Sequence, residues 1–226
     1  MRVLVIAPHP DDEILGCGGV MARHTAGGDE VHVAVVTRGA PEVYREEQVA
    51  QTRAELKEAH GLLGIKSVQY LDFPAPRMDT IPRHTVADAI RRVIDELQPH
   101  TLYVPHFGDM HFEHGLTYQA CLVAARPAGR IVVHRILAYE TLSETEWGPP
   151  LAGYAFQPTV FVDIDACLSK KLAAMGCIKS QLFSAPHPRS LANLEALARL
   201  RGSTAGLKAA EAFVLVREIR EEASAD

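Results

Sequence analysis

The sequence has few cysteines, no long apolar run and no excess of basic residues. Four cysteines, none in a C-x-x-C pair, are too few for a disulfide scaffold, which indicates reduced thiols and a cytoplasmic protein. The apolar run at residues 2–7 is too short for a signal-peptide core, and no run approaches the roughly 20 residues that span a bilayer. A net charge of −5 argues against a nucleic-acid partner.

The composition is that of a folded protein, with 47% hydrophobic and 23% charged residues. These values exclude the collagen-like and disordered classes. At about 150 residues per domain, the length of 226 residues fits one sizeable domain, which we predict to span residues 1–226.

Strand-like apolar runs alternate with segments of helical spacing over the first 140 residues. The predicted strands are Arg2–Ala7, Glu30–Val36, Ser67–Leu71, Thr101–Val104 and Ile131–Tyr139. The predicted helices are Gly19–Ala26, Glu42–Leu63, Arg83–Leu97 and Leu116–Ala125. This alternation predicts βαβ units and therefore an α/β fold, a Rossmann-like three-layer sandwich around a mostly parallel, doubly wound sheet.

Beyond residue 140 the pattern changes, starting with a stretch rich in proline and glycine. We therefore predict a parallel-sheet core over about residues 1–140 and a smaller C-terminal lobe over about residues 141–226, closing over the sheet edge. The predicted elements of the lobe are a strand at Thr159–Ile164, helices near Asp165–Leu182 and Ser190–Leu200, and a strand at Ala212–Val216.

Chemistry in such a sheet is expected just after the strands, at their carboxyl ends. The first strand is followed by His9, Asp11 and Asp12. If a helical turn begins here, His9 and Asp12 lie three positions apart on one face and can converge on one ion, a donor pair that suits zinc. Asp11 points elsewhere on the same turn, where a base acting on metal-activated water belongs.

A catalytic zinc needs a third protein ligand, and the segment after the fourth strand offers three histidines and two carboxylates. We interpret His114 as the third ligand. His111 is a candidate protonated donor to a tetrahedral oxyanion, with Glu113 or Asp109 raising its pKa. Asp109 is otherwise a solvated loop residue.

Two segments resemble the motifs of the GlcNAc-phosphatidylinositol de-N-acetylase family, the PIG-L/LmbE-like deacetylases. The family pattern A-H/P-H-P-D-D-E is matched by Ala7–Glu13, and the following Gly-x-Gly-Gly by Gly16–Gly19. The pattern H-x-D-H is matched by His111–His114, with Glu113 where the family usually has Asp. Shorter matches extend the resemblance from residue 3 to about residue 217.

The resemblance implies a Rossmann-like fold and hydrolysis of an N-acetyl group from an N-acetylglucosamine conjugate. It implies zinc held by His9, Asp12 and His114, with other divalent transition metals able to use the same ligands. It implies Asp11 as the base and His111 as the oxyanion-stabilising residue. The expected partner is a small amino-sugar substrate, and homo-oligomer formation is a further expectation.

Three residues are candidates for substrate binding, each with a structural alternative. Arg53 is either a substrate-hydroxyl contact or part of a solvated ion pair on its helix. His187 and Arg189 belong either to a loop that folds over the pocket or to a helix entrance capped by Ser190. Glu13 is interpreted as a first-turn acid or as a partner of a ligand histidine.

Two alternative functions remain open from the residues. One is an amidase that acts on a larger acyl group, as in the mycothiol-conjugate amidases that the same family contains. The other is a non-catalytic sugar- or nucleotide-binding module, which only the Glu113 departure favours. The glycines at positions 16–19 lack the G-x-G-x-x-G spacing of a dinucleotide site and predict close helix packing instead.

Overall fold

The computed structural model describes residues 1–128 and 131–220, and this part of the chain contains seven strands and six α-helices. The strands are β1 (Arg2–Ala7), β2 (Glu30–Gly39), β3 (Ser67–Ala75), β4 (Thr101–Pro105), β5 (Arg135–Tyr139), β6 (Val160–Asp163) and β7 (Ala210–Glu218). The helices are α1 (Asp12–Ala26), α2 (Glu46–Leu63), α3 (Arg83–Leu97), α4 (Phe112–Ala124), α5 (Leu168–Cys177) and α6 (Leu191–Thr204).

The strands form one sheet in the order β3-β2-β1-β4-β5-β7-β6. The first five pair in parallel, whereas β7 pairs antiparallel with both β5 and β6. From β1 the chain proceeds to β2 and β3 on one side, and from β4 it proceeds to β5 on the other. The β1/β4 boundary is thus the topological switch point, where ligands of such sheets bind.

Alternate side chains of the buried strands pack on opposite faces of the sheet. Val3 and Val5 join the apolar cluster under α1, α2 and α5, whereas Leu4 and Ile6 join the cluster under α3 and α4. Helices therefore cover both faces of a mostly parallel sheet, which confirms the predicted three-layer α/β fold.

Several element boundaries differ from the sequence prediction. Helix α1 begins at Asp12 and not at Gly19, because tertiary packing overrides the low helix propensity of its glycines. A Cβ on Gly19 would lie 2.6 Å from the side chain of Ile164. Glycine at this position therefore allows α1 to lie closer to the C-terminal lobe than a residue with a side chain would. The glycine segment thus packs closely, but against the C-terminal lobe.

The remaining differences concern the ends of elements. Helix α4 begins at Phe112 and not at Leu116, since His111 already has the extended conformation of an N-cap residue. Strands β2 and β3 continue to Gly39 and Ala75, and Pro74 is tolerated there because β3 lies at the sheet edge. Strand β5 begins at Arg135 and not at Ile131, and the helix predicted over Asp165–Leu182 is reduced to α5 preceded by a short 3₁₀ turn.

The C-terminal lobe extends the central sheet through β6 and β7 and packs α5 against α1 and α2. A buried ion pair joins it to α1. Lys171 Nζ contacts Glu211 Oε1 at 2.5 Å and donates to the carbonyl of Leu15 at 2.7 Å. The Glu211 carboxylate in turn accepts hydrogen bonds from the backbone N–H groups of Gly19 and Val20, at 2.8 and 2.7 Å. These contacts engage backbone groups in the middle of α1. Among the described helices, none is both long and apolar enough to cross a membrane.

Candidate active site

The segment after β1 places three of the predicted residues at the carboxyl end of the sheet. The backbone carbonyl of Pro8 accepts two hydrogen bonds from Thr37, one from the backbone N–H at 3.0 Å and one from the hydroxyl at 2.8 Å. These bonds fix the chain at the end of β1. His9 then donates its backbone N–H to Asp12 Oδ2 at 2.8 Å. The first turn of α1 therefore turns the Asp12 side chain back toward His9.

The second segment follows β4 and leads into α4. His111 precedes the helix, and the N–H of His114 donates to its carbonyl at 3.1 Å. This turn buries His114 fully and points its ring toward the β1 segment. Because β1 and β4 are adjacent parallel strands, both segments meet at the switch point.

Three side-chain atoms from these segments form a nearly equilateral triangle. The distance is 3.3 Å between His9 Nδ1 and Asp12 Oδ2, 3.1 Å between Asp12 Oδ2 and His114 Nε2, and 3.3 Å between His114 Nε2 and His9 Nδ1. Tetrahedral zinc with bonds of about 2.0–2.1 Å separates its ligand atoms by about 3.3 Å. The donor set and its spacing therefore fit a divalent transition metal.

His111 is a competing donor, because its ring nitrogens lie close enough to those of His9 and His114 for a three-histidine set, all within 4.8 Å. Two observations favour Asp12 over it. The Asp12 oxygen lies nearer to both histidines, and His111 Nδ1 is already engaged by Glu144 at 3.1 Å.

The charges around His114 favour a cation at this position. Burial opposes ionisation of Asp12, but the neighbouring His114 and His9 rings hold the pKa of Asp12 well below its usual range. Burial likewise opposes a charged His114, yet Asp12 and Asp109 raise the pKa of His114 well above its usual value. Asp109 Oδ2 lies 2.8 Å from His114 Nδ1, so Asp109 orients the ring with Nε2 toward the triangle.

Asp11 lies beside the triangle in a backbone conformation that non-glycine residues rarely adopt, with φ of 137°. Glu13 accepts the N–H of Asp11 at 3.2 Å and contacts His60 Nε2 at 2.8 Å, so its histidine partner is not one of the predicted ligands. Burial raises the pKa of Asp11 well above its usual range, while Arg189, which donates to Asp11 Oδ2 at 3.0 Å, opposes this shift. A carboxyl with a raised pKa accepts a proton more readily, which suits a role in proton transfer.

His111 is half-exposed on the other side of the triangle, where its ring contacts that of His9 at a centroid distance of 5.3 Å. The hydrogen bond to Glu144 raises the pKa of His111. The prediction that Glu113 or Asp109 has this role is wrong. Glu113 lies in the first turn of α4 and is buried at the cavity wall, whereas the carboxylate oxygens of Asp109 face His114 and Thr145.

A cavity of about 330 Å³ adjoins the triangle. The predicted residues on its described lining are His9, Asp11, Arg53, His111, Glu113 and Arg189. Arg53 also forms an ion pair with Asp72, and its guanidinium lies 4.4 Å from the centre of the Tyr70 ring. The side chain therefore lines the cavity and takes part in an ion pair at the same time. A larger open groove of about 1000 Å³, around His100, lies at the opposite end of the strands, and its described lining contains none of the predicted site residues.

The predicted substrate residue His187 does not belong to the described cavity lining. Its ring stacks on Phe183 at a centroid distance of 4.3 Å, and its Nδ1 accepts the backbone N–H of Arg189 at 3.1 Å. Ser190 caps α6 by accepting the N–H of Asn193 at 3.2 Å, as the helix-entrance interpretation predicts. The sequence reasoning missed Glu144 and Thr145, because they follow β5 and belong to neither motif.

Comparison with known proteins identifies a family and several relatives of this chain. Residues 4–125 match the family model PIG-L, described as GlcNAc-PI de-N-acetylase. The chain is 29% identical over 184 residues to the uncharacterized deacetylase YaiS of Escherichia coli, covering 79% of this chain and 90% of that protein. It is 28% identical over 192 residues to a probable N-acetyl-alpha-D-glucosaminyl L-malate deacetylase 2 of Bacillus cereus, covering 80% of this chain and 83% of that protein.

Among solved structures, the conserved protein TT1542 of Thermus thermophilus superposes with a TM-score of 0.74 and 27% identity, covering 99% of this chain and 98% of that chain. The fold, both sequence motifs and the family match over more than half of the chain lead to the same assignment. The chain belongs to the PIG-L family of GlcNAc-PI de-N-acetylase-like proteins.

Proposed function

We propose that this chain is a metal-dependent N-deacetylase that removes the acetyl group from an N-acetylglucosamine-type sugar or conjugate. Relatives in the family are named deacetylases, so the chain is a hydrolase that acts on an amide bond. The name of the Bacillus cereus relative specifies an amino sugar joined to malate, which supports a small amino-sugar conjugate as the substrate class.

The observation that carries the proposal is the triangle of His9 Nδ1, Asp12 Oδ2 and His114 Nε2, with sides of 3.1–3.3 Å. These three residues would hold zinc, and Fe²⁺ and Co²⁺ accept the same donors. When bound there, the ion supplies Lewis acidity that polarises the acetamide carbonyl and acidifies water. With three protein donors, the ion would still be able to bind water or the substrate carbonyl.

Asp11 is proposed as the general base. Asp11 lines the cavity directly before Asp12 in the chain. Its carboxylate receives the proton of the water that attacks the acetamide carbon. Arg189 holds this carboxyl through the contact at 3.0 Å, while the hydrogen bond from the Asp11 N–H to Glu13 fixes the backbone beneath it. The base is therefore held on two sides before substrate arrives.

His111 is proposed as the donor to the carbonyl oxygen as that oxygen gains negative charge. Glu144 engages Nδ1 of the ring and favours its protonated form, so the other ring nitrogen is free to donate into the cavity. Collapse of the tetrahedral carbon breaks the C–N bond and yields acetate. Asp11, or His111 as an acid, protonates the departing amine.

Arg53 and Arg189 line the cavity beyond these groups, and we propose Arg53 as a contact to a substrate hydroxyl. Arg189 contacts Asp11, Ser143 and Glu144, so we propose that it acts mainly by holding the site together. We propose that His187 positions Arg189, because its ring nitrogen accepts a hydrogen bond from the Arg189 backbone N–H.

The test is amine release from N-acetylglucosaminyl malate and from free N-acetylglucosamine, measured with the metal-free and the zinc-loaded protein. We expect zinc-dependent release of one acetate per amine from at least one of these sugars. A longer N-acyl analogue of the reacting sugar separates an N-deacetylase from an amidase for larger acyl groups. Absence of release from every acetamide, with zinc bound, would reject the proposal.

Three expectations accompany the function as proposals. We propose that residues 1–226 act as one deacetylase domain, that the protein works in the cytoplasm, where its four cysteines remain free thiols, and that it forms homo-oligomers. Size-exclusion chromatography with light scattering measures the last of these directly.

A further inference from the structure

A short segment after β5 contacts three of the site residues, although no motif marks it. Each of its three side chains contacts at least one of these residues. Ser143 Oγ accepts from Arg189 Nε at 2.6 Å, Glu144 Oε1 lies 3.1 Å from His111 Nδ1, and Thr145 Oγ1 donates to Asp109 Oδ1 at 2.6 Å. We name residues 143–145 the support segment.

The backbone fixes the support segment beside His111. The N–H of Met110 donates to the carbonyl of Glu144 at 3.1 Å, and the N–H of Thr145 donates to that of Thr141 at 2.9 Å. Ser143 has a φ of 71°, which the segment maintains although the residue is not glycine. The segment is thus a defined turn held against the connection from β4 to α4, next to His111.

Glu144 is well placed to orient His111. Its side chain is 1% exposed, whereas that of His111 is 46% exposed and is less restrained by packing. A buried carboxylate needs charged or hydrogen-bonding partners, and the described partners of Oε1 are His111 and Arg189, at 3.1 and 3.3 Å. The contact therefore fixes one ring nitrogen of His111 and directs the other toward the cavity.

Thr145 acts on the other histidine by a separate route. Its hydroxyl binds Oδ1 of Asp109, and Oδ2 of the same carboxylate lies 2.8 Å from His114 Nδ1. Hydrogen bonds of this kind set the orientation of a ligand histidine. Resting on the proposed deacetylase function, we propose that Glu144 and Thr145 are positioning residues, Glu144 for His111 in the chemical step and Thr145 for His114 in metal binding.

The first experiment compares Glu144→Ala with the wild type and with Glu146→Gln. Glu146 is an exposed carboxylate two residues away, and its glutamine variant retains an acceptor for the Ser143 N–H, so it is the matched control. We expect Glu144→Ala to lower kcat about 10- to 100-fold with KM and zinc content unchanged. Glu144→Gln retains an acceptor oxygen, so it should recover part of that loss, while Glu146→Gln remains at the wild-type rate.

A second comparison separates positioning from a general structural effect. In a His111→Ala background, Glu144→Ala should cause a much smaller further loss of kcat, because the group through which it mainly acts is already gone and only its contact with Arg189 remains to be lost. An equal loss in both backgrounds would overturn the proposal for Glu144. So would a wild-type kcat for Glu144→Ala.

The third measurement needs no substrate. Thr145→Val should weaken zinc binding about 10- to 100-fold in a chelator competition, whereas Glu144→Ala should leave it unchanged. Wild-type zinc affinity in Thr145→Val would overturn the second half of the proposal. If the wild-type protein hydrolyses no acetamide while Thr145→Val still weakens zinc binding, the proposed reaction fails and the positioning of His114 stands.

Discussion

At the scale of single residues, Asp11 combines an unusual backbone conformation with nearly complete burial beside the triangle. Asp11→Asn preserves the shape of the side chain and the backbone contact to Glu13 but removes the carboxylate that we propose as the base. We expect it to bind zinc as the wild type does and to lose about 10²- to 10⁴-fold in kcat. Steady-state kinetics with elemental analysis measures both quantities, and an unchanged kcat would exclude Asp11 as the base.

His114 is the fully buried histidine of the proposed ligand set, and its Nδ1 is hydrogen-bonded to Asp109 Oδ2. His114→Ala leaves two donors, which hold a divalent ion poorly. We expect this variant to lose most of the zinc after dialysis, whereas His84→Ala, an exposed histidine on α3, should retain it. Full zinc occupancy in His114→Ala would show that the ligand set is a different one.

The spacing of His9 and Asp12 after a buried strand made their convergence predictable from sequence, and the parallel neighbour strand brought His114 to the same point. The partner of His111 was not predictable in this way. Glu144 reaches His111 from a loop that lies far along the chain, and only the folded structure shows that this loop returns to the site. Glu113 is nearer to His111 in sequence, but it is the carboxylate of Glu144 that lies 3.1 Å from His111 Nδ1.

At the scale of elements, α1 shows how tertiary contacts decide where a helix starts. Its glycines weaken the local helical pattern, and therefore the sequence predicted a start at Gly19. The real helix starts at Asp12, because the Lys171 and Glu211 side chains satisfy the backbone groups in its middle and the glycines allow close packing. We therefore expect the stability of α1, whose first turn carries Asp12, to depend on that support.

Removing the charge of Lys171 tests this dependence. Lys171→Met leaves the Glu211 carboxylate buried without its ion-pair partner, and we expect it to lower the free energy of unfolding by about 3–5 kcal/mol. Lys208→Met is the control, because Lys208 is exposed and lies 3.7 Å from Asp165 at the surface. Its expected effect is below about 0.5 kcal/mol in the same urea titration. Equal stability of the two variants would contradict the structural role of the buried pair.

At the scale of the whole molecule, the site links the two halves of the parallel sheet, so ion binding should stabilise the entire fold. A ligand present at about 100 times its Kd adds about 2.7 kcal/mol to the free energy of unfolding. We expect zinc to raise the Tm of the wild-type protein and chelator to reverse the rise. Asp12→Asn should show a much smaller response, and an equal response in that variant would place the stabilising ion elsewhere.

The alternation of strands and helices was sufficient to predict the layered parallel sheet, since each buried strand forms a continuous apolar run. It was not sufficient to predict that β7 inserts between β5 and β6 in the reverse direction. Antiparallel pairing of a late strand depends on contacts between distant segments, and hydrophobic period alone does not encode them.

The contact between Glu211 and the N–H groups of Gly19 and Val20 has a consequence for biosynthesis. Translation proceeds from the amino end, so the helix that begins at Asp12 is made long before its partner in β7. The nascent polypeptide therefore lacks this support for α1 until the β7 segment has left the ribosome. Capture of the proposed metal ion is accordingly expected only after β7 has been made.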